Sequence, residues 1–404
     1  MHDRSRGTAR AAREARSENT ALKERSVKTV SRAKGSKAPQ PAQEGRWRAL
    51  TSRREAVRAL TLAGAVLLDA YLLWPVGAPA GGGVPALLGY EDLAAAISVQ
   101  ERHNPDLLAI PGVAGTAVAF GPAGQPVVKV YLAQENVAGI PASLDGHRLV
   151  TEFTGPFNWL GDMPAGTVTA AADDTDPRRS FARPVPIGVS TGQVDVTAGT
   201  IGARVTSGSE VFALSNNHVY ANRNQANLGD HILQPGSVDG GVNPTDAIGT
   251  LHDFEPIRFC SPFPVCPTNR IDAALAATTT DDLGNSTPSN GYGTPRSEVL
   301  AAKLGMEVQK YGRTTGHTQG KISGLNATLN VGFRDNTARF SGQIVITGNG
   351  FSAPGDSGSL IVAGGSGPDS RRPVGLLFAG SETSTIANPI GLVLDRFDVQ
   401  IDGN

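Results

Sequence analysis

From Pro184 onward the sequence is cut into short apolar runs, none long enough to supply a helix with a core-facing stripe of several turns. They lie at 187–190, 199–205, 211–214, 231–233, 271–276, 308–311, 340–346, 359–362 and 374–378, and Gly, Asn, Pro or Ser clusters separate them. Many short strands at such spacing fold as a sandwich or a barrel. Composition agrees: 49 Gly and 27 Pro supply turns, while 39% apolar residues suffice for a packed core. Residues 390–397 read as the one short helix of this region.

Upstream, 84–158 read as a small α/β domain. Residues 90–103 are helix-like, with Leu93, Ala96 and Ile97 on one face. The runs 113–120 and 127–132 flank a G-P-A-G turn, and 147–153 can add a third strand. Residues 159–182 are small and polar and read as a linker to the region 183–404.

Charge is uneven. Residues 1–58 hold 16 Lys/Arg against 6 Asp/Glu, and the rest is acidic, so no nucleic-acid footprint lies on the folded part. The basic arm reads as a solvated tail, and nucleic acid or anionic lipid is its other reading. An apolar run at 59–74 follows Arg53, Arg54 and Arg58 and precedes an A-P-A site at 78–80. That order is the order of a secretory signal. Asp69 inside the run, and its short length, weigh against a membrane anchor; an amphipathic helix is the third reading. Residues 1–82 are therefore a basic arm plus a signal-like segment. The protein is expected to be exported or membrane-associated, with transient membrane contact through 53–76, or cytoplasmic if 59–74 is not a signal. Cys260 and Cys266 lie in a Pro-rich loop at a spacing that is not zinc spacing. A small disulfide loop and two free thiols are both open readings.

Three motifs carry chemistry. In S-A-P-G-D-S-G-S at 352–359, Gly355 lets the backbone turn so that the amides of Gly355 and Ser357 can face one point, an oxyanion hole. Gly358 would leave room for substrate. Serine is a poor nucleophile without a base. The run V-F-A-L-S-N-N-H ends on His218, the usual base at neutral pH. In T-N-R-I-D-A-A-L-A at 268–276, Asp272 is the lone acid of an apolar run, and a histidine N–H would satisfy it. Asp230, Asp239 and Asp246 compete for that role but sit in Gly- and Asn-rich loops and look solvated. No histidine pair has metal spacing, and no cofactor motif appears.

The order His218, Asp272, Ser357 resembles that of the chymotrypsin/trypsin-like serine peptidases, in particular their bacterial branch. S-N-N-H-V, I-D-A-A-L, G-D-S-G-S, the strand V-G-L-L-F-A-G at 374–380 and Y-G-R-T-T-G-H-T-Q-G at 311–320 carry the resemblance over about 185–404. The Ser-Asn-Asn-His form and the preceding α/β unit are also similar to the plant narrow-leaf-type proteins and their bacterial relatives. The resemblance implies a mainly β fold, two six-stranded antiparallel barrels with the site between them. It also implies a serine endopeptidase with a polypeptide substrate and no cofactor. It places Phe351 at the base of the pocket for the side chain before the cut bond, faced by Phe378 and Gly380. Without a carboxylate there, small or medium apolar residues should be preferred over charged ones; the other reading is that the loop before Gly355 is displaced and Phe351 is merely core. Ser-Asn-Asn-His departs from the family's usual residues before the histidine, and no zymogen cleavage site is evident, so Asp356 needs a partner other than a new N-terminus. The alternatives are a weak or inactive binding or scaffold module on the same fold, or an esterase.

Overall fold

The computed structural model describes residues 88–161, 175–261, 266–334 and 336–404. The basic arm, the signal-like run at 59–74 and the membrane-contact stretch 53–76 lie outside the described residues. Among the described residues no helix is long and apolar enough to cross a membrane.

The chain is mainly β and adopts the trypsin-like double-barrel arrangement. The C-terminal barrel is a closed antiparallel ring of six strands. In spatial order these are Glu307–Gly312, Gly316–Phe333, Asn336–Thr347, Thr385–Pro389, Pro373–Gly380 and Leu360–Ala363, which returns to the first. Each strand pairs with two neighbours in the ring, but Ala379–Gly380 extends past the pairing with Leu360–Ala363 and is open on that side. Its interior is filled by Val308, Ile322, Ile344, Ile346, Ile361 and Leu377, among others. The N-terminal barrel is an open half-barrel. Its path runs from Ala203–Ser207 through Glu210–Ser215, Ala274–Thr278, Ala247–Phe254 and His231–Leu233 to Ser190–Gln193. Ile187, Val189, Ile201, Ala213, Val219, Ile232 and Leu251 form its core.

Most strands fall on the expected apolar runs, with two shifts. The run at 187–190 is mostly turn, and pairing starts at Ser190, because Gly188 takes a positive φ of 84°. Within 271–276 the strand begins only at Ala274. Residues Ile271–Ala273 leave the ladder, which puts Asp272 at a strand's lip instead of in its middle. The helix Ile390–Phe397 buries Ile390, Val393 and Leu394.

The helix Leu88–Ala109 and the strands Val113–Phe120, Pro126–Leu132 and His147–Phe153 form the α/β unit. Val113–Phe120 pairs antiparallel with Gly316–Phe333, so this unit's sheet is continuous with the C-terminal barrel. A short strand, Phe157–Trp159, then runs parallel to Val331–Gly332 and antiparallel to Ala379–Gly380. This docks the chain onto two strands of the C-terminal barrel.

Candidate active site

Strand Glu210–Ser215 delivers the chain to a single turn of helix, Asn217–Tyr220, in which every residue is buried. His218 is on that turn. Its Nδ1 lies 2.6 Å from Asp272 Oδ2, and its backbone N–H donates to Asp272 Oδ1 at 3.3 Å. Because the carboxylate only accepts, Nδ1 carries the proton, and Nε2 is left as the basic lone pair. The Ser-Asn-Asn departure has a structural purpose. Asn216 Nδ2 donates to the Asp272 carbonyl at 2.7 Å, Ser215 Oγ donates to the Thr200 carbonyl at 2.8 Å, and Asn217 Nδ2 donates to the Glu255 carbonyl at 2.7 Å. Asn388 braces the other side, accepting from Asp272 N–H at 3.1 Å and donating to the Asp272 carbonyl at 3.2 Å. The acid is thus fixed by its own backbone as well as by the imidazole it orients.

The competing acids do not reach His218. Asp230 accepts from Gln193 Nε2 and Asn227 N–H, and Asp246 caps Val242 N–H. Asp239 is not the solvated loop acid its surroundings suggest. It forms a two-pronged, nearly buried pair with Arg313, with Nε to Oδ2 at 2.8 Å, and also accepts from Ser190 Oγ at 2.6 Å.

Ser357 lies in a turn in which Gly355 has φ +100° and Gly358 φ +93°. Only glycine adopts this backbone without strain. Gly358 does not leave room for substrate: a side chain there would run into Ser215 Oγ and the Thr200 carbonyl of the N-terminal barrel. The serine, the histidine and the aspartate are all fully buried. Ser357 Oγ donates to the Phe378 carbonyl at 3.3 Å, and among the described residues His218 Nε2 has no hydrogen-bond partner. The serine hydroxyl is therefore turned toward the neighbouring strand and makes no hydrogen bond to His218.

Asp356 has its substitute for a new N-terminus. It is fully buried with Lys310, whose Nζ lies 3.4 Å from Oδ2. It also accepts from Thr314 N–H at 2.8 Å, Thr315 N–H at 3.2 Å, Thr315 Oγ1 at 2.7 Å and Ala353 N–H at 3.0 Å. Burial pulls the Lys310 ammonium below the ordinary lysine range, and the Asp356 charge pushes back. These contacts hold the turn carrying Gly355 and Ser357 without any chain cleavage. Thr314 and Thr315 belong to the motif at 311–320, whereas Lys310 and Asn388 do not stand out in the sequence.

The pocket residues divide. Phe351 is buried in the cluster that fills the C-terminal barrel, and Leu160 belongs to the same cluster. Gly380 lies beside it: a Cβ there would sit 3.4 Å from Leu160 Cδ1. The Phe378 ring packs against Phe340, with centroids 4.7 Å apart and planes tilted by 49°, and its backbone carbonyl accepts from the serine. Cys260 and Cys266 are joined as a disulfide remote from these residues in sequence.

The composition of 159–182 suggested a linker, but its first three residues lie in this site. The Leu160 carbonyl accepts from Gly355 N–H at 2.6 Å, and Leu160 N–H donates to the Phe378 carbonyl at 3.3 Å. Trp159 meets the His218 ring edge-on at 5.0 Å. The available sequence signal was an aromatic and apolar island, F-N-W-L-G, at the margin of a polar stretch.

Comparison with known proteins gives three findings. Residues 296–388 match the family described as Nal1 C-terminal domain, a range that contains Ser357 but neither His218 nor Asp272. No curated protein matches the sequence. Among solved structures, the chain is similar to a glutamic acid specific serine protease that utilizes a histidine triad in substrate binding, at 20% identity and TM-score 0.39, over 54% of this chain and 100% of that one. Thermobifida fusca Protease A follows at 19% identity and TM-score 0.39, over 55% and 100%. Cellulomonas bogoriensis chymotrypsin matches at 19% and 0.36, over 55% and 99%.

Proposed function

We propose that this chain is a serine endopeptidase in which Ser357 is the nucleophile, His218 the base and Asp272 the group that orients the base. The observation that carries the reading is the buried 2.6 Å contact between His218 Nδ1 and Asp272 Oδ2, with Nε2 left free as an acceptor. In the reaction Ser357 Oγ swings from the Phe378 carbonyl to Nε2 and gives up its proton as it attacks a peptide carbonyl. The Gly355 and Ser357 amides hold the oxyanion, and His218 protonates the leaving amine. Water then hydrolyses the acyl-enzyme through the same base. Phe351 and Gly380 shape an apolar pocket, so the residue before the cut bond is small or medium and uncharged. The Nal1 match supports the kinship with narrow-leaf-type proteins, and the signal-like run supports export.

One observation favours a second reading, an inactive scaffold: Ser357 Oγ is hydrogen-bonded to Phe378 and not to His218. A peptide-library digest separates the two. Cleavage after Leu, Val or Ala that disappears in Ser357→Ala supports the peptidase, whereas no cleavage by either chain supports the scaffold. Dominant cleavage after Arg or Lys would overturn the pocket assignment, and hydrolysis of esters alone would make the chain an esterase.

A further inference from the structure

We infer that the chain is a substrate of its own site and that the Leu160–Gly161 peptide bond is the one it cuts. The inference rests on the peptidase reading above and names the substrate sequence that the site accepts.

The segment 157–161 sits in the site as an added strand. Asn158 and Trp159 pair antiparallel with Gly380 and Ala379, the arrangement by which an extended peptide binds a sheet edge. Leu160 makes the two backbone contacts that matter for chemistry at its own carbonyl. Its N–H donates to the Phe378 carbonyl, the same atom that receives Ser357 Oγ at 3.3 Å, so serine and Leu160 backbone converge on one oxygen. Its carbonyl oxygen lies 2.6 Å from the Gly355 amide, the donor the turn holds out for an oxyanion.

Side chains agree with the backbone. Leu160 is buried in an apolar cluster that also includes Phe351, and its Cδ1 lies against Gly380, which the resemblance assigns to the pocket. Trp159 is held by His218 at 5.0 Å, Phe333 at 5.7 Å and the Arg223 guanidinium at 5.3 Å. Gly161 passes the catalytic imidazole so closely that a Cβ would lie 2.9 Å from His218 Cδ2 and 2.5 Å from Trp159 Cζ3. Thr197 Oγ1 donates to the Gly161 carbonyl at 3.0 Å, which anchors the leaving side of the bond.

In the cut, Ser357 Oγ bonds to the Leu160 carbonyl carbon and its proton passes to His218 Nε2. The bond from that carbon to Gly161 N breaks, and the same proton completes the Gly161 amine. One water then splits the ester, leaving a carboxylate on Leu160 and restoring Ser357. The products are residues 1–160 and a fragment beginning at Gly161. The two stay associated, because Val113–Phe120 remains paired with Gly316–Phe333.

The test follows the full chain after purification, by intact mass and N-terminal sequencing, at two concentrations tenfold apart. Wild type should yield a new N-terminus at Gly161 with a rate constant independent of concentration, and Ser357→Ala should stay joined. Leu160→Asp, checked by circular dichroism for a wild-type fold, should be cut at least 100-fold more slowly, because a carboxylate in that apolar pocket is disfavoured. A wild-type chain that stays joined while it cleaves added peptides or reacts with a fluorophosphonate would overturn the inference and leave the peptidase reading standing. A chain that stays joined and fails both assays overturns both. Cutting that slows in proportion to dilution, or an unchanged rate in a folded Leu160→Asp, also overturns it.

Discussion

Replacing Lys310 with methionine should destabilise the chain by about 3 kcal/mol, at the low end of what is lost when one partner of a buried ion pair is removed. The reasoning is local. Lys310 and Asp356 are both fully buried, with Nζ and Oδ2 3.4 Å apart. Methionine keeps most of the stem volume but leaves a carboxylate without its cation. The four remaining donors, from Ala353, Thr314 and two on Thr315, keep Asp356 hydrogen-bonded and hold the loss near the bottom of the range. The double variant Lys310→Met/Asp356→Asn removes the stranded charge and should recover most of the loss, a coupling of about 2–3 kcal/mol. Urea unfolding of the four chains of the cycle gives these values from midpoints at constant slope. Activity should fall with stability in Lys310→Met, since Asp356 sits between Gly355 and Ser357. A single variant that loses less than about 0.5 kcal/mol, or a cycle with no coupling, would refute the claim that this pair replaces a new N-terminus.

The same pair gives a pH signature. Lys310 has its folded-state pKa lowered by burial, so between that value and the ordinary lysine pKa of about 10.4 the unfolded chain binds more protons than the folded one. Stability from this group therefore rises as pH rises through that window. The difference in unfolding free energy between wild type and Lys310→Met should grow with alkaline pH, a comparison that cancels the buried tyrosines Tyr131, Tyr220 and Tyr292; a flat or falling difference would contradict it. Asp272→Asn should keep the fold yet lower kcat on the order of 10⁴-fold through the wrong histidine tautomer, while Asp230→Asn leaves kcat unchanged. The reverse pattern in a kinetic comparison would mean that the acid is misassigned.

The residues of the proposed triad stand out in the sequence because each has a distinctive local setting: a serine in a glycine turn, a histidine at a strand's end, an acid alone in an apolar run. The barrel class was legible from turn punctuation. What escaped the sequence was tertiary. The 18-residue strand Gly316–Phe333 alternates polar and small residues and is broken by bulges near Gly324 and Ala327, so it lacks the apolar run that marks its neighbours. Lys310 reads as one polar position in a strand, and only the fold brings Asp356 to it. Asp239 looked solvated because its loop is rich in glycine, yet Arg313 arrives from the other barrel to cover it. Residues 159–161 looked like the start of a linker because short segments carry no sign of what they dock against. In the fold, Trp159 and Leu160 find apolar partners and Gly161 the space only glycine can use. Phe378 was assigned to the pocket by strand position, but its ring packs against Phe340 and its carbonyl accepts from the serine.

The central claim, that Ser357 is a nucleophile activated by His218, is tested most directly by locating a fluorophosphonate adduct by peptide mapping. Because segment 157–161 occupies the site, the measurement should use both wild type and Leu160→Asp, which releases it. The account predicts a single adduct on Ser357, formed faster in Leu160→Asp than in wild type and absent from the His218→Ala form of each. A folded Leu160→Asp chain that takes no adduct, or one labelled at a residue other than Ser357, would contradict it.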